Sequence, residues 1–317
     1  MNSKTVLVTR ATGSQGKAAA HHLLKSGWKV HALIRDTKDA RAQALADEGA
    51  ILFEGTLSNT EAVESAIQGC SAIFLNQMPS FTDDSETKEA LSLITIAKSV
   101  GVKHIVHSTS LPISGPELRS KYSAPPASIL APALLGKADV ENLIRGSGIS
   151  WTIIRPGFFM SNFLDAPKCY FPSLSEGQFV TNFLPSTTVS LVSPDDIGAF
   201  AAAALDNPAK FDGKEISLAS QLLKPSEIVS TIESVSGRKI DLVFKEDEEW
   251  QKGNTKEARA RDIASLNINE IYELGQIVSR DLDGLVNIRN LESYGVPLTS
   301  FRDFLEKNKH LMPFHST

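Results

Sequence analysis

Lys4 to Gly16 reads KTVLVTRATGSQG. Val6, Leu7 and Val8 form an apolar run rich in β-branched residues, the composition of a strand buried on both faces. Gly13 and Gly16 follow at once, and from Lys17 the pattern becomes AAAHHLLKSGW, with Ala18, Ala19, Leu23 and Leu24 at helical spacing and Gly27 as a stop. Strand, glycine turn and helix in that order predict a mononucleotide-binding unit. Amides at a helix start lack intrahelical partners and lie at the positive end of the helix dipole, so they can hold a pyrophosphate.

A glycine turn alone is weak evidence, and its neighbours decide its meaning. Trp28 to Ile34 reads as a second strand, and Arg35 closes it about 20 residues beyond the glycines, where such units read the adenosine ribose. An acidic residue there would accept from both ribose hydroxyls and favour NAD. Arg35, with Lys38 and Arg41 close by, favours a 2′-phosphate and hence NADP(H), with Asp36 as an opposing charge and a solvated strand-end cation as the plainer alternative. Arg10 occupies the place of the first glycine of the usual turn. Either its side chain folds outward and adds a cation near adenine or phosphate, or it fills the site and weakens binding.

The 317 residues suffice for one large domain or two modest ones. A net charge of −5 with no basic stripe argues against a nucleic-acid surface. Cys70 and Cys169 cannot make a disulfide framework, and no His/Cys cluster has zinc spacing. The opening on strand residues leaves no room for a signal peptide, and no run of about 18 apolar residues offers a membrane span, so a cytoplasmic location is expected.

Along the chain, Asp39 to Glu48 is predicted helical, Ile51 to Phe53 a third strand followed by GTLS, Glu61 to Ile67 a helix, and Ser71 to Leu75 a fourth strand. Asn76 to Pro79 leave that strand at its carboxyl end, the side where open parallel sheets bind ligands. Glu86 to Val100 is predicted helical, His104 to His107 a fifth strand opening into Ser108, Thr109 and Ser110. The prolines from Pro112 through Pro116, Pro125 and Pro126 to Pro132 exclude regular helix or central strand and predict a long loop of lid type. Gly136 to Arg145 returns to helix and Trp151 to Ile154 is a sixth strand that runs into RPGFFMSNF, either core or pocket wall. Such alternation predicts an α/β protein with a Rossmann-type doubly wound parallel sheet. Beyond Asp165 the alternation lapses. A helix from Asp195 to Leu205, a strand Lys214 to Leu218, a helix Pro225 to Val235, a strand Ile240 to Phe244, a charged helix over 246–261 and a helical tail follow. The reading assigns 1–157 plus about 188–220 to the dinucleotide domain, and about 158–187 plus 221–317 to a smaller α/β substrate domain.

Together ATGSQG, Arg35, GTLSN, GKADVE and RPGFFMSNF resemble the NmrA-like family, atypical short-chain dehydrogenases/reductases related to isoflavone reductase-like enzymes. The resemblance implies NADP(H), with the pyrophosphate on Ala11, Thr12, Gly13, Ser14, Gln15 and Gly16. It places the 2′-phosphate on Arg35, Asp36, Thr37, Lys38 and Asp39, and adenine beside Thr56 and Leu57, where Thr56 replaces a frequent aspartate. Gln77, Met78 and Pro79 would approach ribose and pyrophosphate, Lys88 would reach the cofactor, and Phe159, Met160, Ser161 and Asn162 would line the nicotinamide. Lys137 would lie by the nicotinamide ribose, but Ala133 stands four residues before it, where conventional relatives carry the catalytic tyrosine. Tyr122 replaces that acid only if the proline-rich loop folds inward; otherwise Lys137, Ser110 or a water would complete protonation, or Lys137 serves only to hold the ribose. The implied activity is reduction of an apolar imine, enone or carbonyl compound, plausibly a specialised metabolite, or redox-neutral isomerisation or cyclisation. The alternative is a non-catalytic NADP/NADPH sensor with a protein partner.

Overall fold

The computed structural model of the chain describes residues 4–113, 130–164, 170–245, 268–280 and 282–314. The expectations for Tyr122, for the prolines at 116, 125 and 126, and for the charged stretch 246–261 lie outside them. In order come β1 (Thr5–Thr9), α1 (Ser14–Lys25), β2 (Lys29–Ile34), α2 (Ala40–Asp47), β3 (Ile51–Glu54), α3 (Thr60–Ile67), β4 (Ala72–Asn76), α4 (Ser85–Val100) and β5 (His104–Ser108). α5 (Ala131–Arg145), β6 (Ser150–Pro156), β7 (Phe158–Phe159), β8 (Gln178–Thr181), β9 (Val189–Val192), α6 (Pro194–Asp206), α7 (Pro208–Phe211) and β10 (Lys214–Leu218) follow. The tail holds β11 (Gln221–Leu223), α8 (Pro225–Ser236), β12 (Asp241–Phe244), α9 (Ile268–Ser279), α10 (Ile288–Glu292) and α11 (Phe301–Lys307).

Seven strands form one sheet in the order β10-β6-β5-β4-β1-β2-β3, each neighbouring pair parallel. β1 pairs with β2 on one side and β4 on the other, so the winding reverses there and leaves a crevice at the carboxyl ends of these strands. Alternate residues of β1 explain its apolar run: Val6 and Val8 pack into one layer with Phe200, Ala201 and Leu205 of α6, while Leu7 packs into the opposite layer with Leu93 of α4 and Val140 of α5. Gly198 lets α6 lie close on α1, since a Cβ there would stand 2.4 Å from the Ala18 carbonyl carbon.

Two small sheets, β11-β9-β7 and β12-β8, cover the carboxyl edge. Their core holds Phe163, Phe171, Phe179, Phe183 and Phe301. β9 serves both layers: Val189 and Leu191 belong to this core, Val192 to that of the large sheet.

Two expectations change. The helix read from Gly136 begins at Ala131, because Pro132 falls in its first turn, where the missing N–H is no loss. The strand exit at Phe158, read as core or pocket wall, holds β7, and the stretch beyond Asp165, read as a lapse, contains β8 and β9, all strands of two to four residues that are too short to display a period.

Candidate active site

At the end of β1 the chain turns through Arg10, whose φ of +50° makes it the one non-glycine residue with positive φ among the described residues. A side chain in that conformation costs about 1–3 kcal/mol. The turn is tight: the Gly13 N–H donates to the Arg10 carbonyl at 2.9 Å, and a Cβ at Gly16 would stand 2.3 Å from the same oxygen. Gly16 is therefore required by close approach. Gly13 caps α1 without a side chain, and the amides of Ser14, Gln15 and Gly16 have no hydrogen-bond partner among the described residues. Such a helix start suits an anion. Ala11 contributes no amide to it, being fully buried with its N–H directed to the Leu33 carbonyl at 3.4 Å.

Over this turn, at the winding reversal, lies a cavity of about 380 Å³. The ends of four strands line it: Arg10, Thr12 and Gly13 after β1, Leu33 to Arg35 at β2, Gly55 to Ser58 after β3, and Gln77 to Ser80 after β4. Thr56, Leu57, Gln77, Met78 and Pro79 thus line one cavity with the turn. Arg10, Arg35 and Arg41 bring three guanidinium groups to it. Asp36, Thr37, Lys38 and Asp39 do not line it. Asp36 accepts from the Lys38 N–H, Thr37 donates to Glu54 at 2.8 Å, and Asp39 caps α2 and pairs with Arg41, whose hydrogen bonds hold its carboxyl down at about 2.

Lys88 is also absent from the cavity; it is exposed and ion-paired with Asp84 at 2.8 Å. The buried stripe of α4 runs through Glu86, Ala90, Leu93 and Ala97, and a residue two positions from Glu86 falls on the opposite face.

A second cavity of about 310 Å³ adjoins the first, with Pro79 bordering both. Leu111, Ala133, Leu134, Phe158, Phe159 and Val278 make it apolar, and Ser110, Lys137 and Asn162 bring polar groups to it. Of the stretch 159–162, Phe159 and Asn162 line this cavity, whereas Met160 is fully buried in the cap core and Ser161 borders a different cavity beside Ser14. Gln15 accepts from the Ser108 hydroxyl at 2.5 Å, tying α1 to the end of β5.

Lys137 Nζ donates to Glu86 Oε1 at 2.7 Å, with the two side chains 10% and 2% exposed. Glu86 Oε2 is buried with no partner among the described residues. One turn further on α5, Glu141 accepts from Arg155 Nε at 3.0 Å, Arg155 Nη2 at 2.6 Å, Arg145 at 2.7 Å and the Thr109 hydroxyl at 2.9 Å. This network fixes α5 against β5 and β6 and so fixes Lys137. Tyr170 and Tyr272 stack with centroids 3.9 Å apart at the cavity wall, and the Tyr170 hydroxyl donates to the Tyr272 carbonyl at 3.0 Å. Burial pushes the Tyr170 phenol far above its ordinary range, which makes it a poor acid.

Sequence reading missed Glu86, Tyr170 and Tyr272. Glu86 had a signal, a lone carboxylate on the apolar stripe of α4. Tyr272 had one too, at helical spacing with Gly275 and Ser279, which line the same cavity.

A doubly wound sheet with a glycine turn at its winding reversal, and a capped apolar cavity beside it, defines an α/β protein of the dinucleotide-fold class. The chain belongs to the NmrA-like family, whose model matches residues 2–285. It is 26% identical to an NmrA-like family domain-containing protein of Dictyostelium discoideum, over 96% of this chain and 98% of that one. It is 28% identical to an NAD(P)H azoreductase of Xenophilus azovorans, over 85% of this chain and 86% of that one. Its fold is similar to that of the Escherichia coli NADPH-dependent quinone oxidoreductase QOR2 in complex with NADPH, with a TM-score of 0.71, 19% identity and coverage of 96% of this chain and 99% of that one.

Proposed function

We propose that this chain is an NADP(H)-dependent oxidoreductase acting on a largely apolar small molecule. The observation that carries the reading is adjacency: the basic cavity over the glycine turn and the apolar cavity holding Lys137 meet at Pro79. The residues fit the cofactor. The unpaired amides of Ser14, Gln15 and Gly16 suit a pyrophosphate, and the guanidinium of Arg35, with no hydrogen bond or ion pair among the described residues, suits an additional phosphate. NADPH supplies a hydride from its nicotinamide when bound. In this reading residues 1–157 with about 188–220 hold the cofactor, and the rest of the chain shapes the apolar cavity.

The chain's own part is binding, exclusion of water and proton supply. Phe158, Phe159 and the Tyr170–Tyr272 stack offer flat apolar walls to an imine, enone or quinone-like carbonyl compound. Lys137, held by Glu86, keeps a proton at Nζ within the cavity, and Ser110 offers a hydroxyl to orient a substrate oxygen or nitrogen. The names of the azoreductase and the quinone oxidoreductase support reduction of conjugated compounds.

The test is NADPH oxidation over a panel of imines, enones, quinones and azo compounds, repeated with Lys137→Ala. Turnover by the wild type, with kcat lowered about 10²-fold or more in the variant at retained NADPH affinity, supports the reading. Silence over the whole panel with intact NADPH binding moves the assignment to a second reading, a sensor of the NADP/NADPH state that acts through a protein partner. Ala133, which lines the apolar cavity four residues before Lys137 where the resemblance leads one to expect a tyrosine, supports that side.

A further inference from the structure

The turn over the first cavity carries an arginine where glycine would be free of strain, so something offsets the cost of Arg10 at φ +50°. The Gly13 N–H bonded to its carbonyl holds the backbone, but no side-chain hydrogen bond or ion pair among the described residues does so. The Arg10 side chain has no hydrogen bond or ion pair with any of them, and neither has that of Arg35, although both line the cavity. Arg41, the third guanidinium, is already matched by Asp39 at 3.0 Å.

We propose that Arg10 and Arg35 form a two-guanidinium clamp for a phosphomonoester dianion, the 2′-phosphate of NADP(H), and that Arg10 thereby sets the preference for NADPH over NADH. The clamp rests on the cofactor reading above. Two guanidinium charges match the double charge of a phosphate monoester and can each present a fork of donors to its oxygens. Burial first, and then the charge of Arg35, hold the Arg10 guanidinium below its ordinary value, so the two cations are close enough to repel. An anion between them removes that repulsion. Glu89, which also faces Arg10, offsets it only in part: its carboxyl accepts from Gln77 at 3.3 Å, and burial pushes it up. The pyrophosphate has its own place at the Ser14 to Gly16 amides, which leaves Arg10 to the adenosine end with Arg35.

The experiment titrates wild type, Arg10→Gly, Arg35→Gln and the double variant with NADPH and with NADH, following ligand fluorescence and thermal midpoint. Glycine is compatible with the backbone at position 10, so the variant is expected to fold and its unliganded midpoint to rise. The clamp requires that Arg10→Gly lose at least tenfold in NADPH affinity with little change for NADH, and that the double variant lose less than the two single losses combined. Equal losses for both dinucleotides, or tighter NADPH binding after Arg10→Gly, overturn the clamp while leaving the cofactor reading intact. Wild-type protein that takes up neither dinucleotide at millimolar concentration overturns both. Arg10→Lys serves as a control for charge without the fork and should recover part of the NADPH affinity.

Discussion

Removing the Glu86 carboxylate strands the Lys137 ammonium in a site where its side chain is only 10% exposed. Breaking a buried pair from one side costs about 3–5 kcal/mol, because the remaining charge keeps its desolvation penalty and loses its partner. Glu86→Ala is therefore expected to lower the urea midpoint strongly. The double variant Glu86→Ala/Lys137→Met, which removes both charges, should regain much of the loss, and strict additivity of the two single changes would rule out the coupling. Lys137 drew attention in the sequence through GKADVE after the proline-rich stretch, and it lines the apolar cavity. Glu86 was harder to read: beside Thr87, Lys88 and Glu89 it passes for solvated surface until its place on the apolar stripe of α4 is weighed, and only the sheet orients that stripe. Lys88, set beside the cofactor by the resemblance alone, lies on the exposed side of α4 and pairs with Asp84.

At the level of single elements, β5 shows how a strand makes stability depend on pH. His104 and His107 are both buried within it. His104 lies between the hydroxyls of Ser150 at 2.6 Å and Thr152 at 2.9 Å, and His107 Nδ1 lies 3.1 Å from the Leu75 carbonyl. Burial pushes the first imidazole down to about 4 and the second to about 3, against an ordinary 6.5. Both are neutral in the folded chain, so the unfolded chain binds more protons as soon as pH falls below about 6.5. Stability is then full above that value and declines steadily toward pH 4. Each proton that only the unfolded chain holds costs ~1.4 kcal/mol for every tenfold rise in proton concentration, so the two imidazoles together remove several kcal/mol. Urea unfolding at pH 7 and pH 5 measures the drop, and His104→Gln should shrink it; an unchanged slope would remove His104 as its source. The elements legible in the sequence were the long ones and those with strong punctuation, such as β5 between Gly101 and its hydroxyl-rich exit. β7, at two residues, had no pattern to show, and Phe158 and Phe159 announced only that something apolar followed Gly157.

Across the whole molecule, alternation announced a doubly wound parallel sheet because parallel neighbours demand crossovers, while its seventh strand, β10, lay beyond the point where the alternation lapses and the strand order came only with the structure. The cap had no such rule. Its sheets pair strands far apart in sequence, Gln178–Thr181 with Asp241–Phe244 and Val189–Val192 with Phe158–Phe159, and nothing local specifies those partners. The placement of both cavities at the carboxyl edge was legible for the same reason as the sheet, whereas the closure of the apolar one by α9 was not. The strand Val189–Val192 lends Val192 to the large sheet's core and Leu191 to that of the cap, so neither core is complete after the other melts. Differential scanning calorimetry should accordingly trace a single endotherm whose van't Hoff and calorimetric enthalpies agree, and a fragment truncated ahead of Val189 should fail to refold as an autonomous body.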